Sequence, residues 1–216
     1  CILNNNIDML NLFFKKDIKL DFIDSNGFSL LKYLVKSDNY NIIKKILEYD
    51  KHNIGISLLD LEDKNHNIAL HYAIIYKNFR LIKLFLKYNS DLLNSDINGN
   101  NSLHLSIYTK NIKNIKLILN NNKNLINLKN NLGETSLHIS VGIINNYEIS
   151  KLLIDNKANV NIKNKNIELI PIVYSIYNDN YEITKLLIES NSNLNIQDYS
   201  GNTCYHHCFK ENFKKI

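Results

Sequence analysis

The spacing of a few histidines constrains this chain more than any other feature of its sequence. His71, His104 and His138 lie 33 and 34 residues apart, and His206 follows 68 residues after His138. The last interval corresponds to two periods, with Val173 at the intermediate position. A period of this length predicts a repeat protein, in which each repeat is one small unit that buries its apolar side against its neighbours.

The segment 130–163 shows what one repeat contains. A turn around Gly133 leads to Thr135, which can cap a short first helix running from 137 to 143. A polar Asn-Asn pair interrupts the chain, and a second amphipathic helix over 147–154 precedes an Asn-rich return. Isolated helices of about two turns are marginal in water, so such repeats must stack to be stable.

The same sequence pattern begins again at Asp63, Asp96 and Asp198. The segment 135–140, T-S-L-H-I-S, resembles the T-P-L-H-x-A signature of the ankyrin-repeat family, with Ser136 in place of the usual proline. The resemblance covers nearly the whole chain. It implies an all-α ankyrin-repeat solenoid of stacked helix-turn-helix units joined by β-turn or hairpin fingers. It also implies that each repeat histidine bridges the cap hydroxyl and neighbouring backbone, a structural role.

The register predicts a single ankyrin-repeat array over residues 1–216. Within it we expect a partial repeat at 1–23, repeats starting near 24, 63, 96, 130 and 164, and a partial repeat at 198–216 whose second helix is incomplete or absent. Because the first residues already belong to a repeat, we expect the chain to be a fragment of a longer protein.

Two segments depart from the regular repeat. Apolar side chains near the start predict one helical face, formed by Ile7, Leu10, Leu12 and Phe13. The return from Asp50 to Glu62 is longer than the others, and insertions in repeat proteins map to loops on one face, so we expect a surface loop there.

The fourth position of each turn needs a positive φ, which glycine adopts without steric cost. Glycine stands there in four repeats: Gly27, Gly99, Gly133 and Gly201. His66 can tolerate this conformation at some penalty, whereas β-branched Ile167 should not, so we predict a distorted turn near Ile167. Pro171 falls in the following helical turn, where its missing N–H costs nothing.

The register also assigns helix caps and core positions. The predicted caps of the first helices are Ser29, Asn101, Thr135 and Thr203. The predicted core positions are Leu31, Leu70, Leu103, Leu137, Ile172 and Tyr205.

Composition argues against several classes of partner. The net charge is +5, and Arg80 is the single arginine. Lysine is a poor bidentate reader of phosphate and bases, so we expect no nucleic-acid partner. No apolar run approaches the roughly 18 residues of a membrane span, so we expect no membrane partner. The three cysteines are too few for a disulfide framework and favour a reducing compartment.

We therefore expect a cytoplasmic protein, and host cytoplasm if the source is viral or parasitic. The abundance of Asn, Ile, Lys and Tyr, which have A/T-rich codons, suggests an A/T-rich genome, such as that of a virus, a protist or an intracellular bacterium.

Candidate catalytic and metal-binding residues are few. A catalytic histidine would be singular and have a nucleophile or carboxylate in reach, whereas His71, His104 and His138 have the same plain surroundings. The segment Cys204–Cys208, C-Y-H-H-C, holds four potential zinc ligands, but zinc sites usually draw ligand pairs from separate segments. We expect no catalytic residue, no cofactor and no metal, and we leave open whether this cluster binds one.

The resemblance implies a non-enzymatic protein–protein interaction scaffold, in which a concave surface binds a protein partner of unknown identity. The alternative is the targeting part of a larger enzyme or ubiquitin-ligase adaptor, whose active module lies outside this segment. We expect a monomer. The implied contact residues are finger tips and first-helix ends: Lys64, Asn65, Asn67, Ile75, Tyr76, Ile97, Asn98, Asn100, Tyr108, Thr109, Asn131, Leu132, Glu134, Ile143 and Tyr177.

Overall fold

The computed structural model describes residues 11–12, 14–16, 20–50 and 58–214, the last five of them without side chains. Throughout these residues the chain forms helices and turns, and they contain no β-sheet. The predicted all-α fold class is thus confirmed. The chain divides into two compact blocks, an N-terminal block ending at Ile97 and a C-terminal block beginning at Asn98. The single array over 1–216 stays a prediction.

The N-terminal block contains two helix pairs. Helices α1 (Leu30–Lys36) and α2 (Tyr40–Asp50) form the first pair, and a short 3-10 helix (Leu58–Asp60) follows. Helices α3 (Ala69–Ile75) and α4 (Phe79–Lys87) form the second pair. Helix α3 packs on α1 and α4 packs on α2, so each helix of one repeat covers its counterpart in the next.

The C-terminal block repeats this arrangement. Its helices are α5 (Ser102–Tyr108), α6 (Ile112–Asn121), a 3-10 helix (Lys123–Asn127), α7 (Ser136–Gly142), α8 (Tyr147–Asp155), α9 (Pro171–Tyr177), α10 (Tyr181–Glu189) and α11 (Cys204–Lys214). The first helices α5, α7, α9 and α11 pack in a row, and α8 packs on α10 in a second row. The partial repeat from Asp198 has one helix in the described residues.

The predicted core positions are buried in five of six cases. No more than 1% of the surface is exposed at Leu31, Leu70, Leu103, Leu137 and Ile172. Burying each such side chain contributes roughly 1.5–3 kcal/mol.

Tyr205 is the wrong prediction in this set, because 55% of its surface is exposed. Helix α11 instead buries Cys204 and His207, which lie three residues apart and therefore on one helical face. In the described residues no later helix covers the opposite face.

The two irregular segments lie partly outside the described residues. Of the predicted N-terminal helical face, Ile7, Leu10 and Phe13 lie outside them, and Leu12 lies in a helical stretch with 60% of its surface exposed, so the face itself stays a prediction. In the long return, 51–57 lie outside the described residues. Its later part is not a surface loop, since Leu58 and Leu59 are buried in the 3-10 helix.

Asparagine side chains cap the N-terminal ends of the second helices. The residue before each cap turns the chain with a positive φ, as at Lys77, Lys110, Asn145 and Asp179. The caps accept a hydrogen bond from the backbone N–H three residues later, at 2.9–3.1 Å; they are Asn78, Asn111, Asn146 and Asn180. Each cap contributes about 1 kcal/mol. At these positions asparagine has a structural use, which the interpretation of its abundance as genome bias misses.

Each repeat begins with a tight turn, which we call the finger. In the C-terminal block the N–H of Asn131 donates to the carbonyl of Asn98 (3.0 Å), and that of Lys165 donates to Leu132 (2.9 Å). In the N-terminal block the N–H of Ile97 donates to Asn65 in the same way (2.9 Å). Exposed turns are thus held to their neighbours by main-chain hydrogen bonds, a ladder that needs no particular side chains.

Glycine permits these finger bonds in two ways: it adopts the positive φ of the turn, and its missing side chain lets the next finger approach closely. Gly133 has a φ of 75°, and a Cβ there would lie 2.9 Å from the Cα of Lys165 in the next finger. Gly201 has nearly the same φ, 77°, but nothing lies within 4 Å of its would-be Cβ. The predicted positive φ is confirmed at all four turn glycines and at His66, whose φ is 58°.

The finger at Asn164 is distorted, as predicted. The N–H of Asn164 donates to Leu169 (2.9 Å), five residues later, whereas the regular fingers close over four residues. The positive φ falls on Glu168, at 55°, which spares β-branched Ile167 the left-handed conformation. The ladder shifts accordingly, since the N–H of Tyr199 donates to Ile167 (3.2 Å).

His138 has the predicted structural role. Its Nδ1 accepts a hydrogen bond from the Thr135 N–H (3.1 Å) and lies 2.9 Å from the Thr135 hydroxyl oxygen. Its Nε2 lies 3.1 Å from the carbonyl oxygen of Leu169 in the next repeat. The neutral imidazole satisfies these partners, and burial lowers the pKa of His138 to about 4 against the opposing effect of that carbonyl.

The other repeat histidines show the same arrangement with variations. His104 Nδ1 accepts from the N–H of the cap residue Asn101 (3.3 Å). His71 Nε2 lies 3.1 Å from the carbonyl oxygen of Asn94. The cap position before His71 holds apolar Ile68, and the Nδ1 atom has no hydrogen-bond partner within the described part of the chain.

We predict that Gly133→Ala lowers the free energy of unfolding by about 2–5 kcal/mol. The left-handed backbone opposes an alanine by roughly 1–2 kcal/mol, and the crowding against Lys165 adds roughly 1–3 kcal/mol. The control is Gly201→Ala, which meets the backbone penalty alone and should lose about 1–2 kcal/mol. Urea unfolding followed by far-UV circular dichroism measures both, and equal losses would contradict the finger ladder.

We further predict that His138 makes the protein less stable in mild acid. The unfolded imidazole, with its pKa near 6.5, binds a proton more readily than the folded one, with a pKa of about 4. The free energy of unfolding therefore falls as pH drops through this window, by about 2 kcal/mol at pH 5 relative to pH 7.5 from this group.

His138→Gln removes the titrating group and keeps a polar side chain. Urea unfolding at pH 7.5 and pH 5 should show a smaller acid-induced loss in this variant than in the parent. If both proteins lose the same free energy between the two pH values, His138 does not carry the predicted effect.

Candidate partner-binding surface

The finger tips present a mixed polar and apolar edge. In the N-terminal block Lys64 and Asn65 are exposed, Asn67 is half-buried, and 56% of the surface of Ile97 is exposed. In the C-terminal block Asn98 and Asn131 are exposed, as is half of the surface of Leu132. These residues lie where the register predicts, at the tips of the fingers.

Two predicted contact residues are turned inward and do not belong to this surface. Asn100 is 6% exposed, and its Oδ1 accepts a hydrogen bond from the Asn130 side chain (3.1 Å). Glu134 is 7% exposed, and its Oε1 accepts from the Tyr174 hydroxyl (3.4 Å). Asn100 therefore joins its finger to the next one, and Glu134 joins its finger to helix α9 of the next repeat, so both side chains offer a partner little accessible surface.

The ends of the first helices carry exposed apolar side chains. In the N-terminal block these are Ile75 and Tyr76, and the Tyr76 ring stacks on Tyr72 with centroids 6.3 Å apart. The corresponding exposed residues of the C-terminal block are Tyr108, Ile143 and Tyr177, with exposed fractions of 38, 57 and 42%.

The row formed by α5, α7 and α9 places the exposed residues of the C-terminal block along one face. Thr109, at the end of α5, is half-buried, and its hydroxyl donates to the carbonyl of Ser106 (2.8 Å). It therefore offers little of its side chain to a partner. Isolated exposed apolar residues are common on proteins. Here they recur at the ends of successive first helices, at the last residue of α5 and α9 and one residue after the end of α7.

Tyr177 is held by an arrangement that sequence reasoning missed. Its hydroxyl lies 2.8 Å from His207 Nδ1, and His207 Nε2 lies 2.9 Å from the carboxylate of Asp198. His207 is 4% exposed, although from sequence its place is unexplained. These hydrogen bonds fix the hydroxyl end of Tyr177 and leave the rest of its ring at the surface.

In the sequence this arrangement is indicated by a spacing of nine residues between the first residue of a finger and a side chain of the following first helix. The Tyr33 hydroxyl donates to Asp24 (2.5 Å), and the Tyr72 hydroxyl donates to Asp63, nine residues before it. His207 stands nine residues after Asp198 and takes the place of the tyrosine. The first residue of these fingers is thus bound by a side chain of its own first helix.

The finger carboxylates are structural groups. Burial by itself would raise the pKa of Asp63, but hydrogen bonds from the Tyr72 hydroxyl and the backbone N–H groups of Asn67 and Asn65 outweigh it and lower the pKa. A carboxylate that accepts this many hydrogen bonds stabilises the turn and is a poor general base. The hydrogen bond to Asp63 also raises the pKa of Tyr72, after the larger effect of burial.

The cysteine and histidine cluster at the start of α11 is dispersed in space. The Cys204 thiol donates to the carbonyl of Leu194 (3.2 Å), and burial raises its pKa. His206 Nδ1 lies 2.9 Å from the Thr203 hydroxyl oxygen, as His138 Nδ1 does from that of Thr135, while His207 faces Asp198. Within the part of the chain that the structure describes, no three potential ligands converge on a metal position.

None of the described helices combines the length and apolar character that crossing a membrane requires.

A family model described as ankyrin repeats, in three copies, matches residues 53–130, 70–164 and 137–216. Among curated proteins, none matches the chain. Among the solved structures with the same fold are two ankyrin-repeat proteins. The ankyrin-repeat domain of Bcl-3, described as a unique member of the IkappaB protein family, has a TM-score of 0.79 at 20% identity, covering 88% of this chain and 83% of that one.

The second similar structure is EF0377, an ankyrin-repeat protein, with a TM-score of 0.75 at 23% identity. The match covers 87% of this chain and 94% of that one. Ankyrin repeats are generally protein–protein interaction modules, and likeness at this identity shows the fold alone. The repeat register, the finger ladder and the family match agree, and the chain belongs to the ankyrin-repeat family.

Proposed function

We propose that this protein is a non-enzymatic scaffold that binds a protein partner through its finger tips and first-helix ends. One observation carries the proposal. In the C-terminal block Tyr108, Ile143 and Tyr177 each expose an apolar side chain at the end of successive packed helices. Tyrosine and aliphatic anchors of this kind contribute strongly to protein interfaces when a partner buries them.

The surroundings of these residues support a preformed surface. The helices beneath them are fixed by a buried core, and the Tyr177 ring is held by His207. A side chain that is already ordered loses less conformational freedom on binding than a mobile one. Leu132, at the tip of its finger, extends the apolar part of the surface.

The N-terminal block offers the same kind of surface on a smaller scale. Ile75, Tyr76 and Ile97 are its exposed apolar members, with Lys64 and Asn65 as polar neighbours on a finger. A partner that binds there would meet a more polar edge. The proposal therefore includes both blocks, with the aromatic anchors of the C-terminal block as its strongest part.

The test is a triple variant, Tyr108→Ser, Leu132→Ser and Ile143→Ser, compared with the parent in affinity capture from the native host. We expect the variant to lose the partners that the parent retains. The matched control is Tyr147→Ser, Tyr181→Ser and Ile188→Ser, whose parent side chains lie on second helices with exposed fractions of 42, 73 and 48%.

The control should keep the partners, and both variants should keep the parent's circular dichroism and melting temperature, because all six side chains are exposed. If the first variant captures the same proteins in the same amounts as the parent, the proposed surface is wrong. If the control alone loses them, the second helices carry the interface.

A further inference from the structure

A basic cleft lies between the second helices of the N-terminal block, away from the fingers and first-helix ends. Its walls are Tyr40 and Lys44 of α2 and Arg80, Lys83, Leu84 and Lys87 of α4, and its volume is about 420 Å³. Leu84 is 4% exposed and forms an apolar floor, while the four cations are exposed. We call this site the basic cleft.

Most of the positive charge in the basic cleft lacks a carboxylate partner. Lys44 forms an ion pair with Glu48 (3.8 Å), in which both side chains are about half exposed. For Arg80, Lys83 and Lys87, the residues that the structure describes supply no carboxylate at ion-pair distance. The cleft therefore keeps a local excess of three positive charges.

Two other second helices of the same chain, α8 and α10, balance their charges at these positions, whereas α6 carries lysines at its second and fifth positions and no acid. Helices α8 and α10 carry an acid at the second position, a lysine at the fifth and an acid at the ninth: Glu148, Lys151 and Asp155, and Glu182, Lys185 and Glu189. In each, the lysine lies 3.2 or 4.0 Å from the acid four residues later. Such pairs stabilise a helix modestly.

Helix α4 reverses this pattern. Its second, fifth and ninth positions are Arg80, Lys83 and Lys87, so both acids are replaced by cations and the helix contains no acid at all. The reversal gives up the favourable pair and places like charges on one face, where they repel. Solubility does not need this arrangement, because α8 and α10 are equally exposed with balanced charges. A negatively charged partner would restore the balance.

The chemistry of the basic cleft favours carboxylates. The Arg80 guanidinium lies 4.6 Å from the centre of the Tyr40 ring, a cation–π contact that holds its donors in place. The other cations are lysines, which act as point charges and are poor bidentate readers of phosphate. A cleft of this volume, with an apolar floor, fits the methylene and carboxylate groups of one or two acidic side chains.

We propose that the basic cleft is a second docking site of this protein and that it binds a glutamate- or aspartate-rich segment of a partner protein. The site is independent of the finger surface, because it lies on the second helices and uses charge where the finger surface uses apolar anchors. Its affinity should fall steeply with added salt, since exposed charge pairs are screened.

The test uses the whole chain and a fluorescein-labelled peptide of alternating glutamate and alanine, with a glutamine peptide of the same length for comparison. Fluorescence anisotropy at low salt should show binding of the first peptide and none of the second. Arg80→Glu with Lys87→Glu gives α4 the charge pattern of α10 and should weaken binding about tenfold or more.

The matched control is Lys116→Glu with Lys123→Glu, which changes the net charge equally in the C-terminal block and should change the affinity less than twofold. Equal weakening by both double variants would overturn the proposal in favour of a diffuse charge effect. Sedimentation with vesicles containing anionic lipid is the second arm. Vesicle binding that depends on Arg80 and Lys87, without peptide binding, would replace the protein partner by a membrane surface.

Discussion

The structure depends on contact between neighbours, because a pair of two-turn helices has too little core to stand alone. Two kinds of contact between neighbouring repeats supply the stability that a single repeat lacks. Leucine and isoleucine side chains such as Leu103 and Leu137 are removed from water between successive helices. Main-chain hydrogen bonds join successive fingers, as from Lys165 to Leu132. The finger bonds fix the stagger of the stack, while the apolar contacts supply most of its free energy.

This division explains which features could be predicted from the sequence. Glycine at the fourth turn position and histidine in the first helix recur because the turn backbone and the hydrogen bonds between repeats favour them, so their register gives the fold. The distorted finger at Ile167 follows from the same rule, since a β-branched residue avoids positive φ and the chain inserts one residue instead.

The errors have a common physical cause. Register tells where a residue stands along the repeat, but the direction of its side chain depends on neighbours that are distant in sequence. Asn100 and Glu134 stand at finger positions yet face Asn130 and Tyr174. Tyr205 stands at a core position yet has no described helix to cover it. The role of His207 can be predicted from the sequence, because Tyr33 and Tyr72 stand at the same nine-residue spacing from their acids.

The central claim is that neighbouring fingers are joined by main-chain hydrogen bonds, and hydrogen exchange of single amides by NMR tests it most directly. The N–H of Lys165 bonds to Leu132 (2.9 Å), whereas that of Ser200, also in a finger, bonds to the side chain of Asp198 in its own turn (2.8 Å). The account predicts that the Lys165 amide exchanges far more slowly than the Ser200 amide, although both lie in surface turns. Exchange of the Lys165 amide at the rate of an unprotected turn would contradict it.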